Sequence, residues 1–152
     1  MTSYKLDDDV EVSLKLFVVL SKAMKVLLEQ TGKDIKKYDM SGTEFAILEL
    51  LYHKGKITFK EIGEKILITS GSITYNIDKL EKKKYLYRVP SVEDRRVIYA
   101  NITEEGIQFI DSVFENHAKI IHESMKGITK EEQQLTTELI KKIGVYAEKF
   151  LK

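Results

Sequence analysis

Residues 70–106 read SGSITYNIDKLEKKKYLYRVPSVEDRRVIYANITEEG, and the fold follows from how this stretch alternates its patterns. Ile73, Ile77 and Leu80 recur at helical spacing and define one apolar face. The segments Tyr85 to Val89 and Val97 to Ile102 are rich in β-branched and aromatic residues, with Pro90, Ser91, Glu93 and Asp94 between them. That composition predicts a β-hairpin with a polar tip, and Pro90 belongs at an edge or loop where a missing N–H is harmless. Immediately upstream, Thr58-Phe-Lys-Glu61 is a capping box that starts a short helix through Ile62 and Ile66. The run Thr69 to Ser72 then forms a turn and the next helix start. Two short helices joined by such a turn make a helix-turn-helix, and a hairpin following it makes a winged helix.

Working outward, Ser41-Gly-Thr-Glu44 is a second capping box. It opens a helix through Phe45, Leu48, Leu51 and Tyr52 that Gly55 stops. Before it, Val10, Leu14, Phe17, Leu20, Met24, Leu27 and Leu28 space a long helix from Val10 to about Gln30. Val12, Leu16, Val18, Val19 and Val26 widen its stripe beyond one face. Such a helix needs two surfaces to cover it: a partner subunit, or a second neighbour in the same chain. After the hairpin, Ile107, Ile110, Phe114, Ile121 and Met125 mark another long helix ending at Gly127. Thr129-Lys-Glu-Glu132 caps a closing helix carrying Leu135, Leu139, Ile143, Tyr146 and Phe150. The expected fold is mainly α and a single domain over residues 1–152. A winged helix-turn-helix lobe (41–102: three short helices plus a β-hairpin wing) is flanked by long dimerisation helices in 1–40 and 103–152.

The chain has 152 residues, 43% of them apolar and 32% charged, and no cysteine. Disulfides, thiolate metal ligands and thiol chemistry are therefore excluded. The longest apolar run, Leu16 to Leu20, is too short for a membrane span. The Asp-rich segment Asp7 to Asp9 carries no signal-peptide pattern, which predicts a cytoplasmic address. The net charge is only +1, yet it is unevenly placed. Residues 41–102 hold 11 basic against 8 acidic groups, and 103–152 hold 7 against 9. Of 25 basic residues only three are arginine, and Arg88, Arg95 and Arg96 all fall in the hairpin.

The chain resembles the MarR family of bacterial transcription regulators in element order and length. The specific match lies in Ser72 to Glu81, Tyr85 to Arg88, Glu93-Asp-Arg-Arg96 and Ile102-Thr-Glu-Glu-Gly106. Two positions depart from the family pattern. Lys84 stands where a glycine usually follows the recognition helix, so it is either left-handed or the helix ends differently. Tyr75 stands where many members carry arginine.

The resemblance implies a homodimer on double-stranded DNA, with the helix after the turn entering the major groove N-terminal end first. Setting its core face by Ile73, Ile77 and Leu80 turns Gly71, Ser72, Tyr75, Lys79 and Lys82 outward, with Ser70 and Thr74 on the flanks. Short hydroxyls and Gly71 allow close approach there. Tyr75 can offer its hydroxyl to a base or phosphate and its ring to a thymine methyl, or it packs on the wing. Lys79 and Lys82 are expected on phosphates. Arg95 and Arg96 suit a narrow A·T-rich minor groove, and by family analogy Arg96 is inserted while Asp94 holds it. Arg88 either clamps a phosphate or braces the wing.

The resemblance also implies a small amphipathic or phenolic effector, bound between the dimer helices and the DNA-binding lobe. The aromatic and Met residues near that junction are Phe17, Tyr38, Met40, Phe45, Phe114 and Met125, a stripe that reads equally as core. His117 and His122 sit roughly 140° apart on a helix. With Glu115 or Glu123 and a partner chain they are the only candidates for a metal-responsive reading, and no cofactor is expected. No nucleophile–base cluster points to an enzyme. A winged helix devoted to protein–protein contact is the other alternative.

Overall fold

The computed structural model describes residues 5–66 and 70–151; at Ser70 and Gly71 it describes the helix but not the side chains. Thr69 of the expected turn lies outside the described residues. The order is α1 (Asp8–Lys36), α2 (Gly42–Lys54), β1 (Ile57–Thr58), α3 (Phe59–Ile66), α4 (Ser70–Lys82), β2 (Leu86–Pro90), β3 (Ile98–Ile102), α5 (Glu104–Ser124) and α6 (Lys130–Glu148). A 3₁₀ turn, Lys149–Leu151, follows α6. The sheet is antiparallel in the order β1-β3-β2, with Leu86 opposite Ile102 and Pro90 opposite Ile98. Pro90 thus ends an edge strand, where its missing N–H removes nothing from the interior of the sheet.

The capping boxes at Ser41 and Thr129 form as the sequence implies, with each hydroxyl on the backbone N–H of the Glu three residues on and the Glu returning the bond. Thr58 and Glu61 make the same reciprocal pair at the start of α3. Two elements differ from expectation. α1 continues past Gln30 to Lys36, and its final turn is drawn into the core through buried Asp34 and Ile35. β1 is only two residues long, too short for an alternation to register; Thr58 ends this strand and also caps α3.

One apolar core joins all of this. Phe45, Ile47, Leu48 and Leu51 of α2 meet Ile62, Ile73, Ile77, Leu80 and Leu86 of the winged helix, and Ile35, Ile110 and Val113 enter from α1 and α5. The lobe over 41–102 therefore shares its core with the long helices. Beside it, Asn116 Nδ2 donates to Asp34 Oδ1 at 3.2 Å, and His117 Nδ1 lies 3.8 Å from Asp34 Oδ2. The His117 ring packs on Phe45 at 4.7 Å between centroids. This cluster ties the end of α1 and the middle of α5 to α2.

The other ends of α1 and α6 do the opposite. Val12, Leu16, Phe17, Val19 and Val26 are exposed on α1, as are Leu135, Leu139, Ile140, Ile143 and Tyr146 on α6. No residue of α6 is buried. Leu16, Val19, Leu20 and Ala23 face Leu139, Ile140 and Ile143 across a groove of about 610 Å³. No helix among the described residues is long and apolar enough to cross a membrane.

The end of α4 is the tightest joint. Lys84 adopts φ 64°, the left-handed geometry that lets Tyr85 N–H return to the Leu80 carbonyl at 3.0 Å. Thr103, the N-cap of α5, donates its hydroxyl to the Lys84 carbonyl at 2.6 Å and its N–H to the Tyr85 carbonyl at 3.0 Å. Gly106 then packs so closely that a Cβ would stand 2.3 Å from the Tyr85 carbonyl oxygen. Opposite stability changes are expected at these two positions. A left-handed non-glycine costs about 1–2 kcal/mol, part of which glycine returns as chain entropy, so Lys84→Gly should stabilise by about 1 kcal/mol. Gly106→Ala forces backbone to move and should destabilise by about 2–4 kcal/mol. Urea unfolding of the two variants measures both, and equal effects would contradict this geometry.

Glu44 is the one carboxylate held in the lobe's interior, 1% exposed. Burial pushes its pKa up, but the Lys83 hydrogen bond, the Ser41 N–H and the charges of Lys83 and Lys79 outweigh this and hold it below the usual carboxylate range. A depressed folded-state value stabilises above the unfolded value and is lost as pH falls through the folded one. Stability of the native chain should therefore fall between about pH 5 and pH 3 with a slope that Glu44→Gln makes shallower, read from denaturation midpoints across that range.

Candidate nucleic-acid interface

α4 presents two chemically different sides. Ile73, Ile77 and Leu80 are buried as the helical phase requires, and Asn76 is buried with its amide on the Ser72 carbonyl at 2.7 Å. Ser72, Thr74, Tyr75, Lys79 and Lys82 are exposed, Tyr75 by 60%. The expected close approach at Ser70 and Gly71 concerns side-chain positions outside those described, although both residues lie in the first turn of α4.

The wing is built by β2 and β3 and closed by its own polar groups. Ser91 N–H donates to the Val97 carbonyl at 3.0 Å, and the Ser91 hydroxyl accepts from Glu93 and Asp94 N–H groups. Asp94 faces Arg96 in a forked pair: Oδ1 accepts from Nε at 3.1 Å and from the Arg96 backbone N–H at 3.0 Å, and Oδ2 accepts from Nη2 at 3.1 Å. The Arg96 side chain, and then its N–H, hold the Asp94 carboxyl below its ordinary pKa. The Arg96 side chain is nonetheless 90% exposed. Such a pair adds little stability at a surface; what it does is fix the direction of a planar cation at the hairpin tip. Arg95 is exposed beside it.

Arg88 is engaged differently. Its Nη2 donates to Asp78, its Nε lies 3.5 Å from Glu81 Oε1, and its guanidinium sits 5.7 Å from the Phe59 ring. Of its two expected roles, the structure supplies protein partners for the brace: Arg88 joins β2 to α4 and α3. Asp78 and Glu81 carry no signal of their own in the sequence, and Glu44 reads there only as the capping-box partner of Ser41. Only the packing of α4 against β2 and α2 brings the three to the cations. Lys79 is likewise drawn inward, with Nζ 3.7 Å from Glu44 Oε1 and 5.0 Å from the Tyr75 ring centroid.

The six residues expected around an effector do not converge. Met40 and Phe45 are core residues, and Tyr38 packs edge-on to Phe109 at 5.7 Å. Phe17 is 69% exposed on α1. Phe114 and Met125 do meet, lining a hollow of about 330 Å³ with Ile121, Glu49, His117 and His122. A helical aromatic stripe cannot distinguish these fates, because the same residue types fill a core and line a pocket. The two histidines border this hollow at different depths, His117 buried and His122 exposed. Among the described residues no group of three or more His, Asp or Glu is placed to hold a metal ion.

Comparison with known proteins agrees with this architecture. Residues 40–98 match the MarR family model. The HTH-type transcriptional regulator MhqR of Bacillus subtilis is 48% identical over 140 residues, covering 92% of this chain and 97% of that protein. The crystal structure of AbsC, a MarR family transcriptional regulator from Streptomyces coelicolor, superposes with a TM-score of 0.82 at 17% identity, covering 96% of this chain and 99% of that one. A mutant MarR from E. coli complexed with operator DNA superposes with a TM-score of 0.79 at 20% identity, covering 91% and 99%. With an extended relative at this identity and a winged helix in this order, the chain belongs to the MarR family of HTH-type transcriptional regulators.

Proposed function

We propose that the chain is a homodimeric, sequence-specific DNA-binding regulator, acting as a repressor on a pseudo-palindromic operator. The observation that carries this reading is Arg96: a guanidinium held outward by Asp94 at a wing tip has a fixed direction and, among the described residues, no partner beyond that carboxylate. A narrow minor groove takes such a group, because guanidinium is planar and cheaper to dehydrate than ammonium. α4 enters the adjacent major groove with Ser70, Gly71, Ser72, Thr74 and Tyr75 leading, while Lys82 and Arg95 meet phosphates. Arg88 acts from behind, holding the wing to α4. That an E. coli MarR mutant of the same fold is complexed with operator DNA supports a DNA partner. A cytoplasmic address follows from contact with the chromosome.

The exposed faces of α1 and α6 support the dimer. Apolar side chains of α1 and α6 line an open groove of about 610 Å³, a contiguous exposed apolar face marks an interaction surface, and a second copy brings the same two helices to cover it. The hollow at Phe114 and Met125 suits a small amphipathic or phenolic effector, with Glu49 and His122 at its mouth to set orientation. Repression rather than activation rests on family resemblance.

Gel shifts with the chain's own upstream DNA at 50 and 200 mM salt test the central reading, since binding that releases counterions must weaken steeply with salt. Arg96→Ala should lower affinity by about 1–3 kcal/mol for duplexes with A·T-rich flanks, whereas Lys82→Ala should weaken all sequences alike. Salt-insensitive binding, or an Arg96→Ala variant that binds as well as the native chain, would sink it. For the dimer, a charge at the centre of the groove is decisive: Ile143→Asp should sediment as a monomer at concentrations where the native chain sediments at twice the chain mass. A native chain that sediments as a monomer would refute the dimer.

A further inference from the structure

Tyr75 and Lys79 lie one turn apart on the outward side of α4, and the structure links them to a residue of another helix. The Lys79 ammonium stands 5.0 Å from the Tyr75 ring centroid and 3.7 Å from Glu44 Oε1. Glu44 is not free to follow either of them. Its carboxylate accepts from Ser41 N–H at 3.3 Å and from Lys83 Nζ at 2.8 Å, and its own N–H is held by the Ser41 hydroxyl at 3.1 Å. Lys83 is anchored in turn on the Asp39 carbonyl. The fixed end of this chain of contacts is therefore a buried carboxylate at the start of α2, and the loose end is an aromatic ring on the recognition surface.

A tyrosine on an exposed helix face samples more than one staggered χ1 state. A cation resting on its ring selects among them, because the attraction acts only over the ring face. We infer that Lys79 is a positioning residue for sequence readout: anchored by Glu44, it holds Tyr75 in one orientation so that the ring and hydroxyl meet a base edge, and it does not itself serve a phosphate. This rests on the DNA-binding reading above. The pair of contacts a tyrosine can make there, ring to methyl and hydroxyl to acceptor, selects thymine in the major groove. The Tyr75 side chain and the Glu44 charge both raise the pKa of Lys79, as expected for an ammonium already partnered inside the protein. Recognition on α4 is then divided, with Tyr75 supplying selectivity through Lys79 and Lys82 supplying affinity.

The test uses the purified full-length chain and a random-sequence duplex library, followed by affinities for the recovered consensus and a scrambled duplex over a salt series. Tyr75→Ala should lose preference at particular positions of the selected motif. Lys79→Met, which keeps the aliphatic stem, should lose preference at the same positions and lower the consensus-to-scrambled affinity ratio about tenfold. Its salt slope should match the native chain. Lys79→Arg restores a cation over the ring and should recover the motif, which a loss of folding would not allow. Lys82→Met should keep the motif and reduce the salt slope by about 1. A Lys79→Met variant that keeps the motif and reduces the salt slope by about 1 would make Lys79 a phosphate contact and overturn the inference. A native chain that selects no motif and binds without salt dependence would remove the DNA-binding reading itself.

Discussion

Two backbone carbonyls at the end of α4 set the geometry of everything attached to it. Lys84 and Tyr85 lie in the turn between α4 and β2, outside any helical or sheet ladder, and their carbonyls are directed at the residue before α5. Thr103 takes both, one through its hydroxyl and one through its N–H, while also capping α5 by accepting from Gly106 N–H at 3.0 Å. Because β2 begins at Leu86 and β3 ends at Ile102, the same joint fixes both strands of the wing. Recognition helix, wing and long C-terminal helix therefore leave one point in set directions. The absence of a Cβ at Gly106 is what allows the approach, and the left-handed turn at Lys84 is what aims it.

The charges of the lobe follow a second constraint. A buried carboxylate is stable only when paired and hydrogen-bonded, and removing a partner from such a pair costs about 3–5 kcal/mol. Glu44 meets that requirement with Lys79 of α4 and Lys83 just beyond it, so part of the positive charge of the basic centre is spent internally. Arg88 is likewise held by Asp78 and Glu81. Counting lysines and arginines along the chain finds the DNA-facing lobe, but it overstates how many of them face outward. What remains for solvent includes Lys82, Arg95 and Arg96, the last aimed by a carboxylate that leaves its exposure intact.

This separates what was legible in the sequence from what was not. Capping boxes at Ser41, Thr58 and Thr129 are local, so their residues suffice to place three helix starts. The phase of α4 was readable because Ile73, Ile77 and Leu80 mark a face without reference to anything else. The wing was readable from β-branched runs on either side of a proline. The contacts between elements were not: Glu44 with Lys83, Arg88 with Asp78, and Thr103 with Lys84 span 10 to 39 residues, and no periodicity encodes them. The same limit dispersed the expected pocket, since Met40 and Phe114 are alike in pattern and differ only in what packs over them. Lys84 was the intermediate case, where the left-handed turn was one of two readings and the choice depended on the Thr103 cap.

The joint at Thr103 also bears on how a ligand acts at a distance. The hollow at Phe114 and Met125 lies on α5, the helix whose first turn is locked to the end of α4. A rotation of α5 at that hollow cannot be absorbed at its N-terminus without breaking the Thr103 bonds or pressing Gly106 into the Tyr85 carbonyl. It is therefore passed to α4 and the wing as one body. In the proposed dimer held by α1 and α6 such a movement would change the spacing of two recognition helices relative to a DNA repeat that does not change. Rigidity alone gives no regulation, however. A ligand shifts the spacing only by as much as it favours one arrangement of the hollow over the other, and equal affinity for both shifts nothing however tightly it binds. The rim of the hollow is formed by the last turn of α5 and by Gln133 of α6, with Gln133 Nε2 donating to the Met125 carbonyl at 3.0 Å. That bond joins the helix of the hollow to the helix of the apolar groove, so the two proposed sites share one turn.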